Sequence, residues 1–159
     1  LNSWTPTSAT NMGGMFKESI FNQDISSWDV SSVTTMGSMF SFSDFNQPLN
    51  SWNVSSVLSF QQMFFNAAFD QNIDSWQISQ ATNLTNLFQN NTISTANYDL
   101  ILVGWEATLQ AAFPGGGGIY TPVISINFTN SIYTTATSGT ARASLINNFG
   151  WTIADGGGI

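Results

Sequence analysis

The sequence predicts an α/β repeat protein in which a short parallel strand and a helix recur every 24 residues, followed by an α/β C-terminal cap. Within one repeat, the apolar spacing changes from a period of two residues to a helical period. The repetition ends after Phe88, where a different pattern begins. The most regular marker is a tryptophan that returns with a constant step at Trp4, Trp28, Trp52 and Trp76.

The strand of each unit is indicated by alternating apolar and polar residues. Trp28 and Val30 alternate with Ser27, Asp29 and Ser31, which predicts a short strand whose Trp and Val point inward. The other units repeat this alternation, so three columns of uncharged or acidic residues are expected to point outward. We call this surface the predicted binding face; it comprises Thr5, Ser27, Asp29, Ser31, Ser51, Asn53, Ser55, Ser75, Gln77 and Ser79.

The helix of each unit is indicated by the residues that follow the strand. Val33, Met36, Met39 and Phe40 lie at positions i, i+3, i+6 and i+7, and a serine at position 31 or 32 is placed to cap the helix. A single strand and helix cannot bury both apolar faces, so we expect the units to stack with their strands in a parallel sheet.

The spacing of apolar residues from Ile25 to Val33, I-x-x-W-x-V-x-x-V, is typical of leucine-rich repeats. We therefore predict a leucine-rich-repeat-like solenoid of about four units over residues 1–90. Because Leu1-Asn2-Ser3-Trp4 aligns with Ile25-Ser26-Ser27-Trp28, the first unit is expected to be truncated.

Residues 91–159 have a different pattern and are predicted to form the C-terminal capping region of the same domain. An apolar stripe from Tyr98 to Phe113, ended by Pro114, predicts a long helix. Further along, residues 124–128 and 151–154 alternate as strands, and residues 142–149 are typical of a short helix closed by a glycine.

The repeat units resemble those of the BspA-like leucine-rich-repeat surface proteins. The units are FNQDISSWDVSSVTTMGSMF, FNQPLNSWNVSSVLSFQQMF and FDQNIDSWQISQATNLTNLF, and the resemblance covers residues 1 to about 88. The same repeat defines a domain of unknown function in mycoplasma lipoproteins. The resemblance implies a cell-surface or secreted protein with an adhesion or interaction role, and it supplies no catalytic residues.

Composition excludes several classes of function. The chain has 2 basic and 9 acidic residues, a net charge of −7, and neither histidine nor cysteine. It cannot neutralise many phosphates, so we expect no nucleic-acid partner, and zinc sites and nucleophilic dyads that need His or Cys are excluded. We expect a protein that is not an enzyme and that has no catalytic residues, metal or cofactor.

The sequence also contains no apolar run long enough to cross a bilayer, so we expect no membrane insertion within this chain. We predict an extracellular or surface-attached module that binds a protein or a glycan through the predicted binding face. An alternative hypothesis is a structural subunit of an extracellular filament or stalk, in which copies stack end to end through the uncapped first repeat.

Two further motifs have a structural and a functional interpretation. Asp70-x-Asn72-x-Asp74 resembles the start of a calcium loop, but Ser75 and Ala81 stand where Gly and Glu are needed. The column formed by Asn22, Asn46 and Asp70 is therefore expected to satisfy backbone groups in the turns between repeats. The repeat tryptophans could stack on sugars, but their alternation with polar residues favours the core.

Overall fold

The computed structural model describes residues 6–114 and 124–159. The predictions made for Trp4 and Thr5 lie outside these described residues. The helices and strands within them all follow the repeats, and they are α1 (Thr95–Ala112), β1 (Ser125–Asn127), α2 (Thr135–Asn147) and β2 (Thr152–Ala154).

The repeat region, residues 6–94, consists of turns that lie against the equivalent turns of the next unit. Single-residue parallel bridges join four positions, each 24 residues after the one before: Asn11 to Thr35, Thr35 to Ser59, and Ser59 to Asn83. Successive units are therefore in parallel contact along the chain.

In place of the strand predicted over residues 26–31, the structure has turns at residues 26–27 and 31–32. The Trp28 N–H donates to the Ile25 carbonyl at 3.0 Å, and the Val33 N–H donates to the Val30 carbonyl at 2.9 Å, which closes two turns. Burial nevertheless alternates as expected, because Trp28 is 6% and Val30 1% exposed while the residues between and beside them face solvent. The period of two identified the inward residues but not the backbone conformation.

The helix predicted over Val33, Met36, Met39 and Phe40 is also absent. The N–H groups of Met36 and Phe40 donate forward to the next unit, to the carbonyls of Ser59 and Met63, both at 2.9 Å. In an α-helix these groups would donate to the residue four positions earlier in the chain. Ser38 has a left-handed φ of 56°, which a right-handed helix excludes. The four apolar residues are nevertheless buried, as their spacing predicted.

The turns of successive units are joined by continuous chains of peptide groups. One chain runs from the Gly14 N–H to the Gly37 carbonyl at 2.9 Å, from Ser38 to Gln61 at 2.8 Å, and onward from Gln62. Each interior peptide group both accepts and donates, so the bonds polarise one another as they do along a helix. Three parallel chains begin at the N–H groups of Met12, Phe16 and Glu18.

Phenylalanine rings form the centre of the core. Phe16, Phe40, Phe64 and Phe88 stack in one column, with ring centroids 5.6, 5.7 and 5.5 Å apart and interplanar angles of 9° or less. A second column, at Phe21, Phe45 and Phe69, packs against the first at 3.8–4.1 Å. Stacked aromatic pairs add about 0.5–1.5 kcal/mol each beyond their burial, so this double column is a principal source of stability.

Helix α1 confirms the helix predicted from Tyr98 to Phe113. Its inner face is formed by residues that include Ile101, Trp105 and Leu109, all at most 1% exposed. Gly104 allows α1 to approach the fourth unit, because a Cβ there would clash with the Asp74 carbonyl oxygen.

The remaining elements pack beside α1. Strands β1 and β2 are parallel, with Ile126 opposite Ile153, and both correspond to predicted strands. Helix α2 starts earlier than predicted, at Thr135, and ends at Asn147. Its outer residues are mostly Thr, Ser and Ala, which explains why an apolar period located only its second half.

Candidate functional site

The predicted binding face is exposed or half-buried at each of its described residues. The side chains of Asp29, Asn53 and Gln77 face solvent, as do Ser27, Ser51 and Ser75. Ser31 and Ser79 are half-buried, and Ser55 is exposed. The tryptophans between these columns, at Trp28, Trp52 and Trp76, are at most 6% exposed. They belong to the core and do not form a surface platform.

Two residues of the central column hold a local turn. Asp29 Oδ1 accepts hydrogen bonds from the Ser31 hydroxyl at 2.7 Å and from its N–H at 3.0 Å. Asn53 Oδ1 accepts the same two bonds from Ser55, at 2.7 and 3.2 Å. The side-chain and backbone bonds from Ser31 lower the pKa of the Asp29 carboxyl. These oxygens are therefore already used, and each keeps only part of its hydrogen-bonding capacity for a partner.

Gln77 breaks this pattern, since its longer side chain donates from Nε2 to the Ser75 carbonyl at 3.3 Å. The first column also has structural contacts. The Ser51 hydroxyl donates to the Ser26 carbonyl at 2.9 Å, and the Ser75 hydroxyl donates to Asn50 Oδ1 at 2.8 Å. The predicted binding face is thus a largely exposed, hydrogen-bonded surface whose first column ties the third and fourth units to the units before them.

The repeated motif FNQ is explained by a ladder of hydrogen bonds in which a side chain of one unit accepts a backbone N–H of the next. Asn22 Oδ1 accepts the Asn46 N–H, Asn46 Oδ1 accepts the Asp70 N–H, and Asp70 Oδ1 accepts the Ser94 N–H, each at 2.9 Å. The Gln47 side chain also donates to Asn22, at 3.1 Å. This confirms the expectation that the column of Asn22, Asn46 and Asp70 satisfies backbone groups between repeats.

The side-chain oxygens of the calcium-like motif also accept hydrogen bonds from within the protein. Asn72 Oδ1 accepts the Asp74 N–H at 2.9 Å, and Asp74 Oδ1 accepts the Asn50 amide at 2.8 Å. Within residues 6–114 and 124–159, no group of three or more His, Cys, Asp or Glu side chains could hold a metal ion.

The C-terminal region contains a network of ionisable side chains. Arg142 Nε donates to Asp155 Oδ2 at 2.8 Å, and the Tyr98 hydroxyl donates to the same oxygen at 2.6 Å. Burial and the Asp155 charge hold the pKa of Tyr98 far above its usual value. Burial lowers the pKa of Arg142, but its bond to Asp155 outweighs this, and the net shift is upward. The network fixes α2 and the segment after β2 against α1.

Sequence reasoning missed a pair of partly exposed aromatic rings. Phe42 is 48% exposed, and its ring meets that of Phe65 edge to face, with centroids 5.2 Å apart. Both positions follow the apolar run assigned to the predicted helix. The signal in the sequence was an aromatic residue, Phe42, at a position where the next units carry Asn66 and Asn90.

None of the described helices has the length and apolar character needed to cross a membrane. The 24-residue step, the parallel bridges and the side-chain ladders together define a protein built from stacked sequence repeats.

This chain belongs to the family described as "Mycoplasma protein of unknown function, DUF285", whose model matches residues 1–100. The match therefore includes the repeat region and the first turns of α1. Comparison with curated proteins and with solved structures gave no match.

Proposed function

We propose that this protein is a non-enzymatic adhesion or interaction module of a secreted or cell-surface protein, which binds a protein or a glycan. The observation that carries the proposal is an exposed position that changes from unit to unit on a constant scaffold. Asp29, Asn53 and Gln77 occupy this position, and each follows a buried tryptophan. A repeated scaffold with a variable exposed column is suited to recognising an extended partner.

We also propose that the repeat region is a leucine-rich-repeat-like solenoid of the BspA-like type, with residues 91–159 as its cap. The parallel bridges at a constant step support the first part. The cap is supported by the contacts of α1 and β1 with the last unit. Phe128 stacks on Phe88 with centroids 5.1 Å apart, and Trp105 donates to the Ile73 carbonyl at 3.0 Å.

An extracellular or cell-surface location is part of this proposal. It is supported by the resemblance to surface proteins and by a composition with only 7% charged residues. An uncharged polar surface rich in Ser, Thr and Asn also suits contact with glycans and polypeptides, because hydroxyl and amide groups both donate and accept hydrogen bonds.

The experiment measures adhesion of fluorescent beads coated with the chain to cultured animal cells. The triple variant Asp29→Ala, Asn53→Ala, Gln77→Ala is expected to reduce adhesion at least tenfold while circular dichroism remains unchanged. A control variant, Thr137→Ala, Thr140→Ala, Thr152→Ala, removes three exposed threonines from the C-terminal region. Equal adhesion by all three proteins would remove the predicted binding face from the proposal, and no adhesion by the parent chain would overturn the proposal itself.

The alternative, a self-assembling filament or stalk subunit, is favoured by one edge of the first unit. Four of its carbonyls accept no backbone hydrogen bond within residues 6–114 and 124–159, although their equivalents in later units do; they belong to Asn11, Gly13, Met15 and Lys17. Such an acceptor edge can pair with another chain.

End-to-end stacking also requires an open edge on the last unit. There Phe88 is covered by Phe128, and the Asn90 N–H donates to the Thr129 hydroxyl. We therefore expect light scattering across a concentration series to give the mass of one chain. Rods that lengthen with concentration would move self-assembly to first place.

A further inference from the structure

Phe42 has a backbone conformation that disfavours its side chain. It has a φ of 57° and belongs to a column of left-handed residues, with Glu18 at 56°, Asn66 at 51° and Asn90 at 59°. Asparagine adopts this conformation readily, whereas a bulky residue there is an outlier. The second unit therefore carries phenylalanine at a position where the third and fourth units carry a residue suited to the backbone.

Burial does not compensate for this strain. The Phe42 side chain is 48% exposed, and its ring contacts Phe65 edge to face with a centroid separation of 5.2 Å. The Phe42 N–H donates to the Phe65 carbonyl at 2.9 Å, and the equivalent bond of Asn66, to Gln89, has the same length. The fold thus makes the same backbone contact with either side chain, and the ring is not needed for it.

Another residue with a disfavoured left-handed conformation has a visible structural reason. Thr129 is β-branched and has a φ of 51°. Its hydroxyl donates to the Phe88 carbonyl at 3.3 Å and accepts the Asn90 N–H. Thr129 therefore closes the last unit, whereas the ring contact of Phe42 among the described residues is with the edge of Phe65. Strain that a fold does not use is typical of functional positions.

The surroundings of Phe42 indicate the kind of ligand. The units on either side present Glu18 and Asn66 in the same column, and Lys17 forms an ion pair with Glu18 at 3.3 Å. An aromatic ring between a carboxylate and an amide matches a sugar, which has apolar C–H faces and a rim of hydroxyls.

The charge of the protein restricts the class of sugar that this site can bind. The chain has two cationic side chains, and both are paired, Lys17 with Glu18 and Arg142 with Asp155. With a net charge of −7, the protein repels sulfated or sialylated glycans at long range and has no unpaired cation to bind them. A neutral oligosaccharide meets neither obstacle.

We propose that a neutral oligosaccharide binds at the Phe42–Phe65 corner, with a sugar ring packed on Phe42 and its hydroxyls bonded to the Glu18 carboxylate and the Asn66 amide of the neighbouring units. The corner comprises Lys17, Glu18, Phe42, Phe65, Asn66 and Asn90. This inference rests on the proposed interaction function and adds the corner to the predicted binding face as a second contact.

The test is the substitution Phe42→Asn, which gives the second unit the residue found in the third and fourth. Affinity is measured on a printed array of neutral and acidic oligosaccharides and then by calorimetry with the best neutral oligosaccharide. We expect at least a tenfold loss of affinity together with an unchanged or higher melting temperature, because Asn suits the left-handed backbone. Phe42→Tyr should retain binding, and Leu100→Asn, at an equally exposed residue of α1, should change neither quantity.

A lower melting temperature for Phe42→Asn would show that the ring is structural and would overturn the inference. Unchanged affinity in this variant, or a parent chain that binds no neutral oligosaccharide, would do the same. Loss of binding only in the Asp29, Asn53 and Gln77 triple variant would reject the corner and keep the proposed function. Bead adhesion that is abolished by treating the cells with protease but not with glycosidase would also reject the corner, and would leave a protein as the partner.

Discussion

The repeat region and the C-terminal region satisfy the same backbone groups in different ways. In the repeats, Trp52 Nε1 donates to the Ile25 carbonyl at 3.1 Å, and Trp76 Nε1 donates to the Leu49 carbonyl at 2.9 Å. The next carbonyl in this column, Ile73, accepts from Trp105 of α1 at 3.0 Å. A helix residue, 29 positions after Trp76, thus replaces the tryptophan of a further unit.

The asparagine ladder ends in the same manner. Asp70 Oδ1 accepts from the Ser94 N–H and from the Asn97 amide, both at 2.9 Å. Ser94 precedes α1, and its hydroxyl also donates to Asp70 and does not cap the helix. The comparison shows that the last unit requires hydrogen-bond donors and rings at fixed positions beside it. A helix can supply them as well as a further repeat unit can.

Removing the Trp105 side chain is the strongest way to test this equivalence. Trp105 is 1% exposed, so Trp105→Ala is expected to cost about 3–5 kcal/mol of unfolding free energy. Urea denaturation measures the loss. The matched pair Trp105→Phe and Trp76→Phe removes the indole N–H bond together with the same ring volume at both sites, and we expect similar losses of about 1–3 kcal/mol for the two. Clearly unequal losses would show that α1 does not stand in for a repeat unit.

The next test of this comparison concerns the network of Tyr98, Arg142 and Asp155 in the C-terminal region, since the described ladders of the repeats contain no ion pair of this kind. Tyr98→Phe removes the bond to Asp155, whose side chain is 3% exposed, and we expect a loss of about 1.5–3 kcal/mol at pH 7.

The pH dependence of this loss has a definite sign. The pKa of Tyr98 is raised in the folded state, so its contribution is complete below the unfolded pKa of about 10 and falls above it. The difference in unfolding free energy between parent and Tyr98→Phe should therefore shrink between about pH 9 and 11. Tyr133→Phe keeps a ring beneath the Arg142 guanidinium and is the control. A pH-independent difference would exclude this linkage.

The sequence predicted the buried residues of the repeats better than their backbone. Trp28, Met36 and Phe40 are buried as their spacing required, because apolar periodicity reports which side chains leave water. A period near 3.6 does not distinguish a helix from successive turns with left-handed residues, such as Ser38 and Phe42. Their φ values depend on hydrogen bonds to the next unit, which no local pattern encodes.

In the candidate site, the sequence identified the exposed columns but not the corner. Asp29 and Asn53 were predicted to be exposed, and their turn bonds to Ser31 and Ser55 follow from local spacing. Phe42 and Phe65 carried no prediction, because exposure of one aromatic residue among buried neighbours depends on the left-handed turn.

The asparagine ladder gives a smaller expected effect than the networks above. Asn46 Oδ1 accepts from the Asp70 N–H and from the Gln71 amide, both at 2.9 Å. Asn46→Ala should therefore cost about 1–2 kcal/mol. Asn46→Asp keeps an acceptor oxygen and should lose less than half as much. Urea midpoints of the two variants test whether the side-chain oxygen holds the units together, and equal losses would assign the effect to the amide nitrogen instead.

The smallest expected effect concerns Asp29, the acidic member of the central column. Bonds from the Ser31 hydroxyl and N–H lower its pKa in the folded state, so its contribution is present above the unfolded pKa of about 3.9 and is lost as the pH falls through the folded value. Asp29→Asn keeps the acceptor oxygen without the titration. Melting temperatures of parent and variant should therefore converge between about pH 5 and pH 2. The melting temperature of Asn53→Asp should show the same dependence on acidic pH, since Asn53 accepts the equivalent bonds from Ser55. If the melting temperature of Asn53→Asp did not depend on pH in this range, the turn would depend on features particular to one unit, and the repeats would be less equivalent than their ladders indicate.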